Sequence, residues 1–317
     1  MPLPRLSRRQ FGLLGAHALV GGCGESPPPV RIGSNLWPGY EPLYVLRERG
    51  MLPPGLRLVE LVSASQVMRG IRNGLLDGGG LTLDEALRLA AETGDVELVA
   101  VMDLSAGADA VVGRGEVRTL AQLAGKVVGV EKSAVGAYLL ARTLERAGLE
   151  IGAVRADYIP VQEHRTAFEQ GRVDALVTFE PVLGELRALG AHVLLTSAEL
   201  PGEIVDVLVV RRTFLKEHPE QVEVLRDAWF EARDLVDASL RTAAPLATPR
   251  LGRDPARHRE AYAGLVLPDR AASNTLLGDG ERSLRPTAAR LVEAMVRMGL
   301  LDRSVDPAIV FPRGTGG

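Results

Sequence analysis

Apolar runs of strand length alternate with amphipathic segments of helix length along almost the whole chain, and this narrows the fold to an α/β protein with mainly parallel strands. Val30 to Ser34 reads as the first strand and Glu41 to Arg49 as a helix, with Pro42 in its first turn, where a missing amide donor costs nothing. Leu56 to Val62 and Gly78 to Leu81 read as strands, and Ser65 to Asn73 and Leu83 to Glu92 as helices. Val96 to Leu104 and Ala108 to Arg114 follow with only a short turn between them, too little chain for a helical crossover. A second run begins at Lys126. Its expected strands are Val127 to Glu131, Tyr158 to Val161, Val173 to Phe179, His192 to Thr196 and Val205 to Arg211. Its helices are Ala134 to Ala147, Glu163 to Gln170 and Val182 to Leu189, and residues 212–300 are mostly helical, led by Glu220 to Leu240 and Leu284 to Met298.

The two runs echo one another. Asn73-Gly74-Leu75-Leu76-Asp77, an apolar strand and Thr82-Leu83-Asp84 correspond to Gly171-Arg172-Val173-Asp174, an apolar strand and Thr178-Phe179-Glu180-Pro181. The echo supports two similar lobes, with chance similarity of two αβ turns as the alternative. Two lobes of one topology joined by a strand pair would leave a cleft and a hinge.

The N-terminal stretch SRRQFGLLGAHALVGGC has the order of an export signal: Arg5, Arg8 and Arg9, an apolar run from Phe11 to Val20, then Gly21 and Gly22. Its apolar run is far short of the ~20 residues that span a bilayer. Ser7-Arg8-Arg9-Gln10-Phe11 also fits the twin-arginine pattern of proteins exported already folded. Leu19 to Cys23 resembles a bacterial lipobox, in which Cys23 is lipidated and begins the mature chain; an unpaired thiol in a frayed terminus is the alternative. Residues 1–22 are then the signal peptide and 23–29 a lipidated tether stiffened by Pro27-Pro28-Pro29. Removing residues 1–22 takes away three arginines and no acid, leaving 34 basic against 40 acidic residues. With Arg211-Arg212 as the one adjacent basic pair left, a nucleic-acid partner is excluded. A single Cys allows no disulfide framework, so apolar burial must hold the fold together.

In parallel sheets ligands sit beyond the carboxyl ends of the strands, against helix N-termini. Each strand-to-helix turn is therefore a candidate wall. Asn35 to Glu41 carries Trp37 and Tyr40, which either cap a lobe's core or offer aromatic faces to a ligand. Ser63-Ala64-Ser65-Gln66 and Thr82-Leu83-Asp84-Glu85 fit capping boxes, and Ser65 and Thr82 are also candidate ligand contacts. In the second run Ser133 opens a helix among small residues after Glu131-Lys132. Glu180 sits at a strand end and Asp206 near the start of the strand returning to the first lobe; the two carboxylates would favour an amino or ring N–H donor. Gln162-Glu163-His164 reads as a further loop, with His164 polar rather than a base. Asp77-Gly78-Gly79-Gly80 lacks the Lys-Ser/Thr of a phosphate loop and reads as a strand packed closely on a helix. The histidines His17, His164, His192, His218 and His258 have no metal spacing, and there is no nucleophile elbow, so no catalytic group, cofactor or metal site is expected.

From Val30 to Met298 the chain resembles the substrate-binding proteins of bacterial ABC importers for nitrate, alkanesulfonates, taurine and thiamine-pyrimidine precursors. The resemblance rests on Trp37-Pro38-Gly39-Tyr40-Glu41-Pro42-Leu43-Tyr44, Arg72 to Asp77, Phe168 to Ala175 and Phe179-Glu180-Pro181. It implies an α/β, two-lobed type II periplasmic-binding fold with a hinge and an interlobe cleft. By position, lobe 1 is residues 30–110 and 207–317 and lobe 2 residues 111–206, with crossings near Ala108 to Arg114 and Val205 to Arg211. It further implies a pocket of Trp37, Tyr40, Ser65 and Thr82 from the first lobe and Ser133, Glu180 and Asp206 from the second. The partners implied are a small-molecule ligand, ABC permease and ATPase subunits, and a membrane held through the lipid on Cys23, for a monomer in the periplasm or on the cell surface. The expected solute is a small polar organic molecule with an amine or ring N–H, such as an aminosulfonate or a pyrimidine, because no arginine other than Arg211-Arg212 stands at a strand end. A sensor presenting its closed form to a receptor kinase, and an enzyme of thiamine-pyrimidine biosynthesis on the same fold, are the alternatives. The enzyme would need a cysteine-rich motif that this chain lacks.

Overall fold

The computed structural model describes residues 28–131, 134–242, 249–251 and 255–312. The expected signal, the lipobox with Cys23, and Ser133 lie outside them. Among the described residues no helix is long and apolar enough to cross a membrane.

The chain begins with β1 (Val30–Ser34), α1 (Glu41–Glu48), β2 (Leu56–Glu60), α2 (Ala64–Arg72), β3 (Gly78–Thr82), α3 (Leu83–Thr93) and β4 (Glu97–Ser105). It passes to β5 (Asp109–Gly113), β6 (Val127–Val130), α4 (Ala134–Ala147), β7 (Arg155–Tyr158), α5 (Val161–Glu169), β8 (Ala175–Phe179), α6 (Val182–Ala188) and β9 (His192–Thr196). It returns through β10 (Val205–Val210), α7 (Arg212–Glu217), α8 (Pro219–Thr242), α9 (Pro255–Ala263), β11 (Leu265–Val266), α10 (Arg270–Leu277) and α11 (Arg285–Arg297).

Two sheets result, ordered β11-β4-β10-β3-β1-β2 and β7-β6-β8-β5-β9. Without the short β11 they have the same plan: three parallel strands, then one antiparallel strand delivered from the other sheet, then a fifth. The short link between β4 and β5 makes no hairpin, because β4 pairs in the first sheet and β5 in the second. The chain crosses between sheets at 106–108 and 197–204. Asp109 and Ala110 therefore lie in the second sheet and Val205 and Asp206 in the first, a few residues from the divisions expected at 110/111 and 206/207. Neither β5 nor β10 is itself a crossing; each is a fully buried inner strand. The crossings are tied together by the buried Ser197, whose Oγ lies 2.7 Å from Ser105 Oγ and accepts from Gly107 N at 2.7 Å.

The sequence echo has a shared structural cause. Asp77 N donates to Arg31 O at 2.9 Å while its Oδ2 accepts from Arg31 N at 2.9 Å, which locks β3 to β1. Asp174 does the same to Val127 of β6, at 2.9 Å for both bonds. The two aspartates differ in their surroundings. Burial alone would push Asp77 up, but the guanidiniums of Arg31 and Arg211 hold its carboxyl below the usual range. Removing Asp77 strips a partner from two partly solvated arginines and from the Arg31 N–H. Asp77→Ala should therefore cost about 1–3 kcal/mol in urea unfolding, above Asp174→Ala; equal losses would count against this account.

Two expected elements move. The strand expected at Tyr158 to Val161 is β7, Arg155–Tyr158, an exposed edge whose extent is set by pairing with β6, while Pro160 ends it and caps α5. Gln162-Glu163-His164 is accordingly helix, not loop. His164 is buried in α5 with Nδ1 3.1 Å from Thr178 Oγ1 and Nε2 3.1 Å from Ile159 O, and desolvation lowers it to about 4, so it is a neutral core residue.

Candidate functional site

The turns that follow the parallel strands of the two sheets face one another across a cavity lined by Asn35, Trp37, Tyr40, Ala64, Thr82 and Glu85 on one side and Asp109, Glu131, Val135 and Phe179 on the other, with Asp206 at its floor. It measures about 30 Å³. That is room for little more than a water or a compact head group, so a larger solute enters only as the walls part. Two contacts already bridge the walls. Trp37 meets Phe179 edge to face with ring centres 5.7 Å apart, and Gln162 Nε2 donates to Val62 O at 3.1 Å.

The first wall is built by small residues that let backbone come close. A Cβ on Gly39 would lie 1.7 Å from Asp103 Oδ2, so only glycine allows Trp37 Nε1 to donate to that oxygen at 3.0 Å. A Cβ on Gly80 would lie 2.9 Å from the Tyr40 ring, and Tyr40 Oη donates to Asp206 Oδ1. The glycine run is thus a strand packed closely against its surroundings, with Gly79 against Val67 of α2 and Gly80 against Tyr40. Trp37 and Tyr40 are both core and wall: each is buried in the apolar cluster under α8 and each lines the cavity.

Four of the expected site residues, Trp37, Tyr40, Thr82 and Asp206, come together here. Asp206 reaches the cavity from β10 of the first sheet, opposite Thr82 of β3 and Asp103 of β4, and so not from the second lobe. Thr82 forms the expected capping box, its N–H donating to Glu85 Oε2 at 3.1 Å. Ser63 caps α2 with no side-chain bond, and half-buried Ser65 stands aside while Ala64 lines the cavity. Glu180 is buried outside it, accepting from Gly184 N at 3.0 Å and lying 3.8 Å from Arg187, because β8 ends at Phe179 and Phe179 fills the place at the wall.

Glu85, Asp109 and Glu131 line the cavity without having been expected contacts, and Asp103 accepts from Trp37 Nε1 of the wall. Asp103, Asp109 and Glu85 are fully buried. Burial pushes Asp103 and Asp109 up to about 7, with Trp37 and Ser105 respectively pulling the other way, and pushes Glu85 up to about 8 with Asp84 beside it. Burial, with Asp103 beside it, also drives Asp206 well above the usual carboxylate range. An acid inside an apolar strand run, Asp103 in Val96 to Leu104 and Asp109 in Ala108 to Arg114, was the available signal. Among the described residues no group of three or more His, Cys, Asp or Glu is placed to hold a metal ion.

The NMT1-like family matches residues 24–248. Two curated Escherichia coli (strain K12) proteins match over 175 residues each. One, named in the aliphatic sulfonates-binding class, is 25% identical over 54% of this chain and 55% of that protein. The other, a taurine-binding periplasmic protein, is 23% identical over 54% of each. The chain thus spans about half the length of the curated relatives it matches. Among solved structures, the alkanesulfonate-binding protein from Xanthomonas axonopodis pv. citri bound to MOPS is similar at a TM-score of 0.74 with 20% identity, covering 90% of this chain and 99% of that one. This likeness shows the fold, the two-lobed α/β periplasmic-binding arrangement.

Proposed function

Because the chain belongs to the NMT1-like family, we propose that it is an extracytoplasmic solute-binding protein that delivers a small organic solute bearing an amine or ring N–H to an ABC importer. The observation that carries this reading is the cavity between the two sheets, walled by aromatic and carboxylate side chains from both. A solute touching both walls gains contacts only when the lobes are together, so it shifts the population towards the closed form, and that form is what a permease would recognise. The lobes are those on either side of the crossings at 106–108 and 197–204, with Cys23 as a lipid anchor and the periplasm or cell surface as the place of work. The curated relatives are binding proteins by name, which supports solute capture over catalysis.

Thermal-shift screening of the purified protein against amines, aminosulfonates, pyrimidines and alkanesulfonates is the test. A solute present at 100 times its Kd stabilises the native state by about 2.7 kcal/mol, and at least one compound should give such a shift. A flat response to every compound, with no small molecule retained in native mass spectra, would sink the reading.

A further inference from the structure

We propose that the group entering the cleft is an organic cation, an ammonium or a protonated ring nitrogen, and that sulfonates and other anions are refused. This rests on the solute-binding reading above and narrows it, since an aminosulfonate no longer qualifies.

The walls present Glu85 and Asp206 from the first sheet's side and Asp109 and Glu131 from the second. Among the described residues no Arg, Lys or His side chain lines the cavity. Arg187 lies 3.8 Å from Glu180 and Arg250 3.2 Å from Glu41, and neither side chain lines the cavity. Among the described residues Asp109 Oδ2 and Glu85 Oε1 have no hydrogen-bond partner, although Asp109 is 5% and Glu85 1% exposed. Buried acceptors in this state are costly unless something supplies donors and opposite charge. A cation with N–H groups supplies both, to walls on either side of the cleft, so it also draws the lobes together. The rings of Trp37, Tyr40 and Phe179 also line the space, beside the neutral Asn35 and Thr82, and an aromatic ring attracts a cation rather than an anion. Among the described residues no three of these carboxylates are placed to hold a metal ion. A sulfonate, free or on the far end of an aminosulfonate, would meet the same carboxylates with like charge.

Calorimetry at pH 8 with ethylammonium, tetramethylammonium, 4-amino-5-aminomethylpyrimidine, taurine, ethanesulfonate and nitrate tests the proposal. One or more of the three cations should bind and the other three should not. Asp109→Asn and Glu85→Gln should each weaken the bound cation at least 100-fold while raising the melting temperature of the ligand-free protein. A purely structural carboxylate would instead lower it. Binding of taurine, ethanesulfonate or nitrate would overturn the cation assignment and leave solute binding intact. Silence from all six, with nothing retained in native mass spectra, would overturn both. Either substitution losing stability together with binding would also count against the proposal.

Discussion

The ligand-free protein should lose stability as the pH rises from 6 to 8, the reverse of what ordinary carboxylates produce. A carboxyl whose pKa is higher in the folded chain than in the unfolded one keeps its proton longer when folded, so stability falls as pH climbs through the interval between the two values. Burial places Glu41, Asp103 and Asp109 at about 7 and Glu85 at about 8. The charged groups facing them deepen the effect at most points. Asp103 meets Asp109, Asp109 meets Asp84 and Glu180, and Glu85 meets Asp84 and Glu131, while Glu41 has the guanidiniums of Arg250 and Arg47 close by. Each pKa unit is worth about 1.4 kcal/mol, so two pH units across four such groups remove several kcal/mol and lower the melting temperature by roughly 5–10 °C. His164, held neutral with a value near 4, acts the other way below pH 6.5, and Asp77, held low by its arginines, loses its contribution only in stronger acid. Denaturant titrations at pH 6, 7 and 8 would show the decline; stability rising with pH would mean that the acids stand in water. A bound cation should reverse the slope, with affinity growing through pH 7 and protons released on binding.

Gly39→Ala should be among the most damaging single-methyl additions to the chain. Gly39 has no positive φ, so its backbone would accept alanine. The space would not, because the new Cβ meets Asp103 Oδ2 at 1.7 Å, Asp103 Cγ at 2.6 Å and Trp37 Nε1 at 2.6 Å. Overpacking of this kind costs about 1–3 kcal/mol, and stripping the Trp37 donor from a buried carboxylate adds about 1–3 kcal/mol more. Urea unfolding followed by tryptophan fluorescence reads both the loss and the altered surroundings of Trp37. Adding Asp103→Ala removes the two Asp103 atoms that clash and frees Trp37 to shift, so the double variant should lose clearly less than the sum of the two single changes. Additive losses, or a neutral Gly39→Ala, would show that the loop and β4 do not meet as described.

Much of the architecture was legible because it is periodic. Strand-length apolar runs between helix-length amphipathic ones gave β1, α4 and β9 at their observed limits and most other elements to within one or two residues. The paired aspartates of the echo mark the same step in both sheets, because Asp77 and Asp174 each fasten the third parallel strand to the first through one residue's N–H and C=O. Trp37, Tyr40 and Thr82 line the cavity because a residue's place in a strand-to-helix turn decides its direction. Glu180 lies outside it, its neighbour Phe179 taking the wall, and Asp206 lines it from the first sheet because of the strands it pairs with.

The sequence by itself determined an α/β chain of two matching halves, since periodicity and turn residues act within a few positions of where they are written. Only the tertiary structure decided that Asp103, Asp109 and Asp206 are buried within electrostatic reach of one another. They sit on β4, β5 and β10, strands that pair into different sheets and are brought together by two short crossings. The charge a cleft will accept is a sum over side chains from distant parts of the chain, weighted by how much water burial removes, and neither the sum nor the burial can be read from local pattern.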